Sequence, residues 1–237
     1  MEPYFSVIIP AWNERQYIPH AIAATQAQNM GRDQFEIVVV DNNSEDGTAE
    51  IALRAGADTV IHEPRQGTNI ARETGWRASR GKIIAFLDAD CVPPPDWLRH
   101  ISHALSCDGT AAISGPYEYG LRGIAKLADR FYARFCFAQA HWFLPLIFRR
   151  PIGIIRAGNF ATHRRVLEAI GGLPPRVFWG DDTAIAVAIM KNGGCVRYDP
   201  RIVVKSSPRR FEREGLMRTS WRYLVHFFRE YLSRETP

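Results

Sequence analysis

Short apolar runs alternate with amphipathic stretches from the start of the chain to about residue 118. The apolar runs have the length of strands and end in polar residues, which is typical of strands covered on both faces. The predicted strands are Phe5–Ile9, Phe35–Val40, Thr59–His62, Ile83–Leu87 and Ala111–Ser114. The predicted helices are Tyr17–Gln28, Thr48–Ala55, Asn69–Ser79 and one after Pro95. This alternation predicts βαβ crossovers, and hence an α/β fold with a mainly parallel sheet flanked by helices.

The second half of the chain has a different pattern. Residues 120–150 are rich in aromatic and basic side chains, and Arg149 and Arg150 interrupt the most apolar segment, Trp142–Ile155. No stretch therefore reaches the ~18 uncharged apolar residues of a membrane span. Two interpretations fit residues 120–150, a helical layer over the sheet or contact with lipid headgroups. The apolar residues in Met217–Tyr231 recur at helical spacing, which predicts a terminal amphipathic helix. Three surfaces are open to it: an anionic membrane, the core of the protein or another subunit.

Composition sets the outer limits. The 237 residues, 46% of them hydrophobic, suffice for one globular domain. The four cysteines form no C-x-x-C pair, and the N-terminus lacks the pattern of a signal peptide, so we expect reduced thiols and a cytoplasmic protein. The net charge of +5 allows an anionic nucleotide or an anionic membrane surface as partner, and we expect no nucleic acid.

Two carboxylates follow the strand around which the chain is organised. Asp88 and Asp90 come directly after Ile83–Leu87, at the edge of the sheet where ligands of α/β proteins bind. Two acids at this spacing can hold a hard cation such as Mg²⁺ or Mn²⁺ together with a phosphate-bearing ligand. The alternative interpretation is a polar strand end followed by a Pro-rich turn.

Polar residues also follow the first two strands. The first strand ends in P-A-W-N-E, where Trp12 offers an aromatic wall for a base, and the second ends in Asp41, a hydrogen-bond acceptor for a base or a ribose. Ser44 to Thr48 are explained by a turn and a helix cap. The first strand is not followed by G-x-G-x-x-G, which argues against a dinucleotide-binding domain. Nor is it followed by a Gly-rich basic loop, which argues against a nucleotidyltransferase.

Four segments together resemble glycosyltransferase family 2, which has the GT-A fold. They are S-V-I-I-P-A-W-N-E, V-V-V-D-N-N-S-E-D-G-T, A-R-E-T-G-W-R-A-S-R-G-K-I-I-A-F-L-D-A-D and A-G-N-F-A-T-H-R-R-V-L-E-A-I-G-G-L. The resemblance runs from about Ser6 to Gly193 in the family's order and spacing. It implies a single Rossmann-like GT-A domain over residues 1–237. Residues 1–118 are then the nucleotide-sugar-binding half and residues 119–237 the acceptor-side half with its C-terminal helix.

The resemblance also implies a donor site. Asp41 contacts the base, and Asp88 and Asp90 hold a divalent metal against the diphosphate. This chain has Asn42 where the family commonly has a second acid, which leaves the choice between UDP- and GDP-sugars open. The complete set of residues implied to bind the nucleotide sugar is Pro10, Ala11, Trp12, Glu14, Asp41, Asn42, Asn69, Arg72, Asp88, Ala89, Asp90, Arg209 and Arg210.

Two later segments concern catalysis. Asp181 and Asp182 begin a predicted helix, where acids are often only caps favoured by the helix dipole. In the family an acid pair at this position, usually Glu-Asp, supplies the catalytic base, so Asp182 aligns with the base and Asp181 replaces the Glu. Ser207–Phe211 has the spacing of the Q-x-x-R-W motif of processive members but lacks its Gln and Trp, which favours non-processive transfer. Arg209 or Arg210 then neutralises the departing diphosphate, or is an ordinary surface arginine.

The predicted function is inverting, non-processive transfer of a sugar from a nucleoside diphosphate sugar to an acceptor hydroxyl. Lipid-linked acceptors and polysaccharide precursors are the candidates, with the enzyme cytoplasmic or peripheral at the inner face of the membrane. The alternatives are a nucleotidyltransferase acting on sugar phosphates and a non-catalytic nucleotide-sugar-binding module. The released product separates the two enzymes, because sugar transfer leaves a nucleoside diphosphate and nucleotidyl transfer leaves pyrophosphate.

Overall fold

The computed structural model describes residues 2–120, 153, 155–174 and 181–209. Its strands are β1 Phe5–Ala11, β2 Phe35–Asp41, β3 Thr59–His62, β4 Ile83–Leu87, β5 Cys91–Val92, β6 Thr110–Ser114, β7 Tyr117–Glu118, β8 Asn159–His163, β9 Cys195–Tyr198 and β10 Val204–Ser206. Its helices are α1 Ile18–Gln26, α2 Thr48–Arg54, α3 Thr68–Ala78, α4 Trp97–Leu105, α5 Arg164–Ala169 and α6 Asp181–Lys191.

Seven strands form the central sheet, in the order β3-β2-β1-β4-β8-β6-β9. The pairs β3–β2, β2–β1, β1–β4 and β6–β9 are parallel, while β8 runs antiparallel to both of its neighbours. A smaller sheet, in the order β5-β10-β7, begins directly after Asp90 and brings the chain near residue 209 back to it. The carboxyl ends of β1, β2 and β4 therefore lie along one edge of the central sheet.

Each face of the central sheet is covered by helices. Residues of β1, β2 and β4 that alternate along the strands pack against α1, α2 and α4 on one face, and their neighbours pack against α3, α5 and α6 on the other. Trp97, fully buried at the start of α4, anchors one layer, and Phe86 stacks on Phe160 with ring centroids 4.6 Å apart in the other. Burying such a side chain contributes about 1.5–3 kcal/mol, so both layers hold the edge that carries the site.

The predicted fold class is confirmed: the central sheet is mainly parallel and has helices on both faces. The predicted bounds of the first four strands agree with the structure to within two residues at each end. No strand was predicted at residues 159–163, where the structure has β8. Within the described ranges, no helix is both long and apolar enough to cross a membrane. The aromatic segment at 131–150, Arg210 and the predicted helix Met217–Tyr231 lie outside the described residues.

Candidate donor and metal site

Asp88 stands at the carboxyl end of β4 and is held by two side chains. The guanidinium of Arg72, on α3, donates to Asp88 Oδ1 at 2.8 Å, and the hydroxyl of Tyr117 lies 3.4 Å from Oδ2. Arg72 is itself oriented by Asn69, whose Oδ1 accepts from the guanidinium at 3.0 Å. Only 3% of the Arg72 side chain is exposed, against 35% for Asp88, so a buried cation supports a carboxylate that solvent can reach.

Asp90 is paired with a different arginine. Its Oδ2 lies 3.3 Å from the guanidinium of Arg209, which follows β10. The same guanidinium donates to both carboxylate oxygens of Glu14, in the loop after β1, and lies 4.6 Å above the ring of Tyr17. Burial, and next the charge of Asp88, raise the pKa of Asp90 to about 6. Arg209 therefore joins the first strand end, the acid pair and the chain after β10.

The acid pair suits a hard divalent cation. Ligand atoms of Asp88, Asp90 and Cys91 lie within 4.8 Å of one another, and among the residues the structure describes this is the one such group. Burial raises the pKa of the Cys91 thiol well above its ordinary value, and a thiol is a poor ligand for a hard cation. The two carboxylates are left as the ligands, and oxygen ligands of this kind are those that Mg²⁺ and Mn²⁺ prefer.

The backbone next to Asp88 belongs to Gly158, the residue directly before β8. The Asp88 N–H donates to the carbonyl of Gly158 at 3.1 Å, and a Cβ atom added at Gly158 would overlap the Asp88 carboxyl group. Asn159, fully buried, accepts from the ring N–H of Trp97 at 3.0 Å and donates to the carbonyls of Pro116 and Ile202. The close approach of Gly158 to Asp88 therefore requires glycine at this position.

Asp182 lies in the first turn of α6, half-buried. Burial, followed by the charge of Asp88, raises the pKa of the Tyr117 hydroxyl well above its ordinary value, and the charge of Asp182 adds a smaller rise. The charges of Asp88 and Asp182 thus act in the same direction on one buried hydroxyl, and the role of Asp182 as the base stays a prediction. Tyr117 had no signal in the sequence, since its role comes from contacts between distant segments. The side chain of Asp181 is not described, so its role stays a prediction.

The predicted base site lies at the ends of β1 and β2. Pro10 and Ala11 are buried at the end of β1, while 54% of Trp12 is exposed just beyond them, which is unusual for so large an apolar ring. Asp41, 4% exposed, accepts from the Ser44 N–H at 3.4 Å through Oδ2. Its buried Oδ1 has no hydrogen-bond partner in the part of the chain that is described.

His62 and Asn42 border Asp41. The ring Nδ1 of His62, at the end of β3, lies 3.4 Å from Asp41 Oδ2. The side chain of Asn42, 5% exposed, bonds to the backbone of the loop after β3. Ala89, which stands between Asp88 and Asp90 in the sequence, is buried. A cleft of about 460 Å³ begins at Asp90 and Arg209 and continues between α1 and β10.

Sequence and structure comparisons give consistent matches. The model of the family described as "Glycosyl transferase family 2" matches residues 6–170. Glycosyltransferase AglE of Haloferax volcanii is 32% identical over 185 residues, covering 76% of this chain and 59% of the relative. An undecaprenyl-phosphate 4-deoxy-4-formamido-L-arabinose transferase of Pseudomonas paraeruginosa is 38% identical over 109 residues, covering 40% of this chain and 32% of the relative. The chain thus spans less than two thirds of the length of these relatives.

Solved structures also match this chain, and one of them covers all of it. It is the mannosyltransferase PcManGT from Pyrobaculum calidifontis in complex with GDP-Man and Mn²⁺, at a TM-score of 0.75 and 26% identity, covering 100% of this chain and 66% of that one. The matched family segment contains β1 to α5 and with them the strand ends that carry Asp41, Asp88 and Asp90. The chain belongs to glycosyl transferase family 2.

Proposed function

We propose that the protein is an inverting, non-processive glycosyltransferase that moves a sugar from a nucleoside diphosphate sugar to an acceptor hydroxyl. The observation that carries this proposal is the pairing of Asp88 and Asp90 with two separate guanidiniums at the sheet edge of a family 2 chain. One end of that edge offers anionic ligands for a cation, and the other offers Trp12 and Asp41 for a base.

Asp88 and Asp90 would hold the divalent metal, Mg²⁺ or Mn²⁺. PcManGT, 66% of which matches the whole of this chain, was solved with Mn²⁺ and GDP-Man, and this supports the assignment. When bound, such a metal offsets the negative charge that grows on the leaving diphosphate. The donor is proposed to be a UDP- or GDP-sugar, with its base between Trp12 and Asp41 and its diphosphate near the acid pair.

The protein's own side chains would do the remaining chemistry. Arg209 would give charge-assisted hydrogen bonds to the diphosphate oxygens, since its guanidinium already lies between two carboxylates at the mouth of the site. Asp182 would accept the proton of the acceptor hydroxyl as this oxygen attacks the anomeric carbon from the face opposite the diphosphate. Attack from that face inverts the configuration of the anomeric carbon.

The donor and the reaction type are tested together. The protein is incubated with UDP-, GDP- and dTDP-sugars in the presence of Mn²⁺, and the released nucleotide is identified directly. We expect a free nucleoside diphosphate from a subset of these donors. Release of pyrophosphate from sugar phosphate and nucleoside triphosphate would instead favour nucleotidyl transfer, and no turnover with any donor would favour a binding module.

The proposed base is tested by Asp182→Asn. Asparagine keeps the capping ability of the helix start but removes the proton acceptor. We therefore expect the transfer rate to fall by roughly 10²–10⁴-fold while donor affinity and thermal stability stay the same. Near-normal transfer by a folded variant that binds donor would leave Asp182 as a helix cap.

The acceptor is proposed to be lipid-linked and presented at an anionic membrane. The similarity to an undecaprenyl-phosphate transferase supports this, as does the basic and aromatic pattern of Met217–Tyr231, which lies outside the described residues. Sedimentation with vesicles tests it, because each arginine near an acidic surface adds about 1 kcal/mol of attraction. We expect binding to vesicles with anionic lipid and not to neutral ones. Equal, negligible binding to both would favour a soluble acceptor.

A further inference from the structure

Asn42 is the residue at which this chain departs from the acid common in its family, and its side chain is fully engaged within the protein. The amide nitrogen donates to the carbonyls of Glu63 and Arg65, at 3.0 and 2.6 Å. The amide oxygen accepts from the N–H of Gly67 at 2.8 Å. Two carbonyls and one N–H as partners also fix the orientation of the amide group, because only its nitrogen can donate.

These bonds hold the loop formed by residues 63–67, which joins β3 to α3. The main chain of Asn42 adds a fourth bond, since its carbonyl accepts from the side chain of Gln66 at 2.9 Å. Glu63, at the start of the loop, is paired with Arg65 and accepts from Thr74 of α3 at 2.6 Å. The loop is therefore tied to the end of β2 on one side and to α3 on the other.

The loop sets the position of two parts of the donor site. At its first residue, the N–H of Glu63 donates to the carbonyl of Asp41 at 2.9 Å, which keeps the loop beside the proposed base site. At its last residue, Gly67 precedes α3, the helix that carries Asn69 and Arg72 to Asp88. A shift of the loop would therefore displace groups at both ends of the site.

We propose that Asn42 is a positioning residue for donor binding and does not read the nucleobase. This inference rests on the proposed function. The amide groups with which an asparagine could distinguish one base from another are hydrogen-bonded to the backbone of residues 63–67. The contribution of Asn42 to binding affinity is then the same for every nucleoside diphosphate. Asp41, whose buried Oδ1 has no partner within the described residues, is left to contact the base.

The same geometry explains why an amide stands at this position. An aspartate would place a negative charge against the carbonyl oxygens of Glu63 and Arg65 and would lose both donors. A buried charge facing two acceptors is strongly unfavourable, so the loop would move away. Asn42→Asp is therefore the sharpest test of this role. Asn43→Asp is its matched control, because Asn43 is exposed and the substitution adds the same charge one residue later.

The experiment measures nucleotide affinity and loop exposure in the same proteins. GDP and UDP are titrated calorimetrically in the presence of Mn²⁺, and trypsin cleavage after Arg65, whose side chain is 73% exposed, reports release of the loop. For Asn42→Asp we expect both affinities to fall by the same factor, about 10-fold or more, with faster cleavage after Arg65. Asn43→Asp should behave as the wild type in both measurements.

Other outcomes overturn the proposal. A change in the ratio of GDP to UDP affinity would mean that Asn42 reads the base, and equal losses with unchanged cleavage would mean that it contacts the shared ribose or diphosphate. Unchanged affinities would also contradict it. If Asn42→Asp does not fold, Asn42→Ala removes the same bonds without a charge, and the same pattern is expected of it. A wild-type protein that binds neither nucleotide would contradict the proposed function, while the cleavage measurement would still test the role of Asn42 in holding the loop.

Discussion

The two ends of the proposed donor site hold their polar groups by different means. At the base end, defined by Asp41, Asn42 and residues 63–67, most bonds join an amide or a backbone group to another backbone group. At the metal end, defined by Asp88 and Asp90, each carboxylate is paired with an arginine. Neutral hydrogen bonds between buried groups fix the conformation of the loop, whereas a charged side chain in a partly exposed ion pair can exchange its partner for another charged group.

This difference has a consequence for binding. At the base end Asn42 already holds the loop of residues 63–67, so this end needs little rearrangement to bind a nucleotide. The metal end would exchange partners, because Arg209 lies between Glu14 and Asp90 and a diphosphate would offer it new anionic partners. Substitutions at the metal end should therefore act through charge, and those at the base end through the shape and stability of the loop.

The largest effect is expected from Asp90→Asn. Loss of one of two carboxylate ligands should reduce turnover by about 10³-fold or more and weaken donor binding in the presence of Mn²⁺. Chelation of the wild type should have the same effect. Asp96→Asn is the control, since Asp96 is half-exposed and pairs with Arg99 nearby in the same chain segment. Normal turnover by Asp90→Asn, or in the presence of a chelator, would contradict the metal assignment.

An intermediate effect is expected from Arg209→Gln. A hydrogen bond to a charged group is worth about 1.5–3 kcal/mol, so the kcat/KM for the donor should fall by about 10- to 100-fold. The control is Arg201→Gln, because Arg201 is 60% exposed and pairs with Asp199. A kcat/KM equal to that of the wild type would make Arg209 a structural arginine that only ties Glu14 to Asp90.

The smallest effect is expected from Glu63→Gln, and it depends on pH. Hydrogen bonds, first from Arg65 and then from Thr74, lower the pKa of Glu63 from 4.5 to about 2. A lowered pKa means that the charged form stabilises the fold above pH 4.5 and that this contribution is lost as the pH falls towards 2. At pH 7 the variant should melt about 2–4 °C below the wild type, and the difference should shrink between pH 4.5 and pH 2.

The exposed Glu45 provides the comparison for that measurement, as Glu45→Gln removes the same charge from the surface. It should leave the melting temperature unchanged across the whole pH range. A constant difference between Glu63→Gln and the wild type down to pH 2 would mean that packing, not the charge of Glu63, holds the loop.

The sequence predicted those features that follow from local pattern. Apolar runs ending in Asp41 and Asp88 were sufficient to predict parallel strands and a polar edge, because the alternation of strands and helices determines which strand ends lie together. The role of Asn42 could not be predicted in this way, since its partners are backbone groups of residues 63–67 and a backbone group has no signature in the sequence. The contact of Gly158 with Asp88 joins segments far apart in the chain and was missed for the same reason.

The insertion of β8 between β4 and β6 also bears on the order in which the protein is built. On that side β4 pairs with β8, which is synthesised only after residues 121–150. Until then the strand that ends at Asp88 has an open edge, and an unpaired apolar edge is a template for association with other chains. Pairing between segments so distant in sequence also slows folding. The acid pair is thus synthesised well before the segment that supports it, Gly158 and β8.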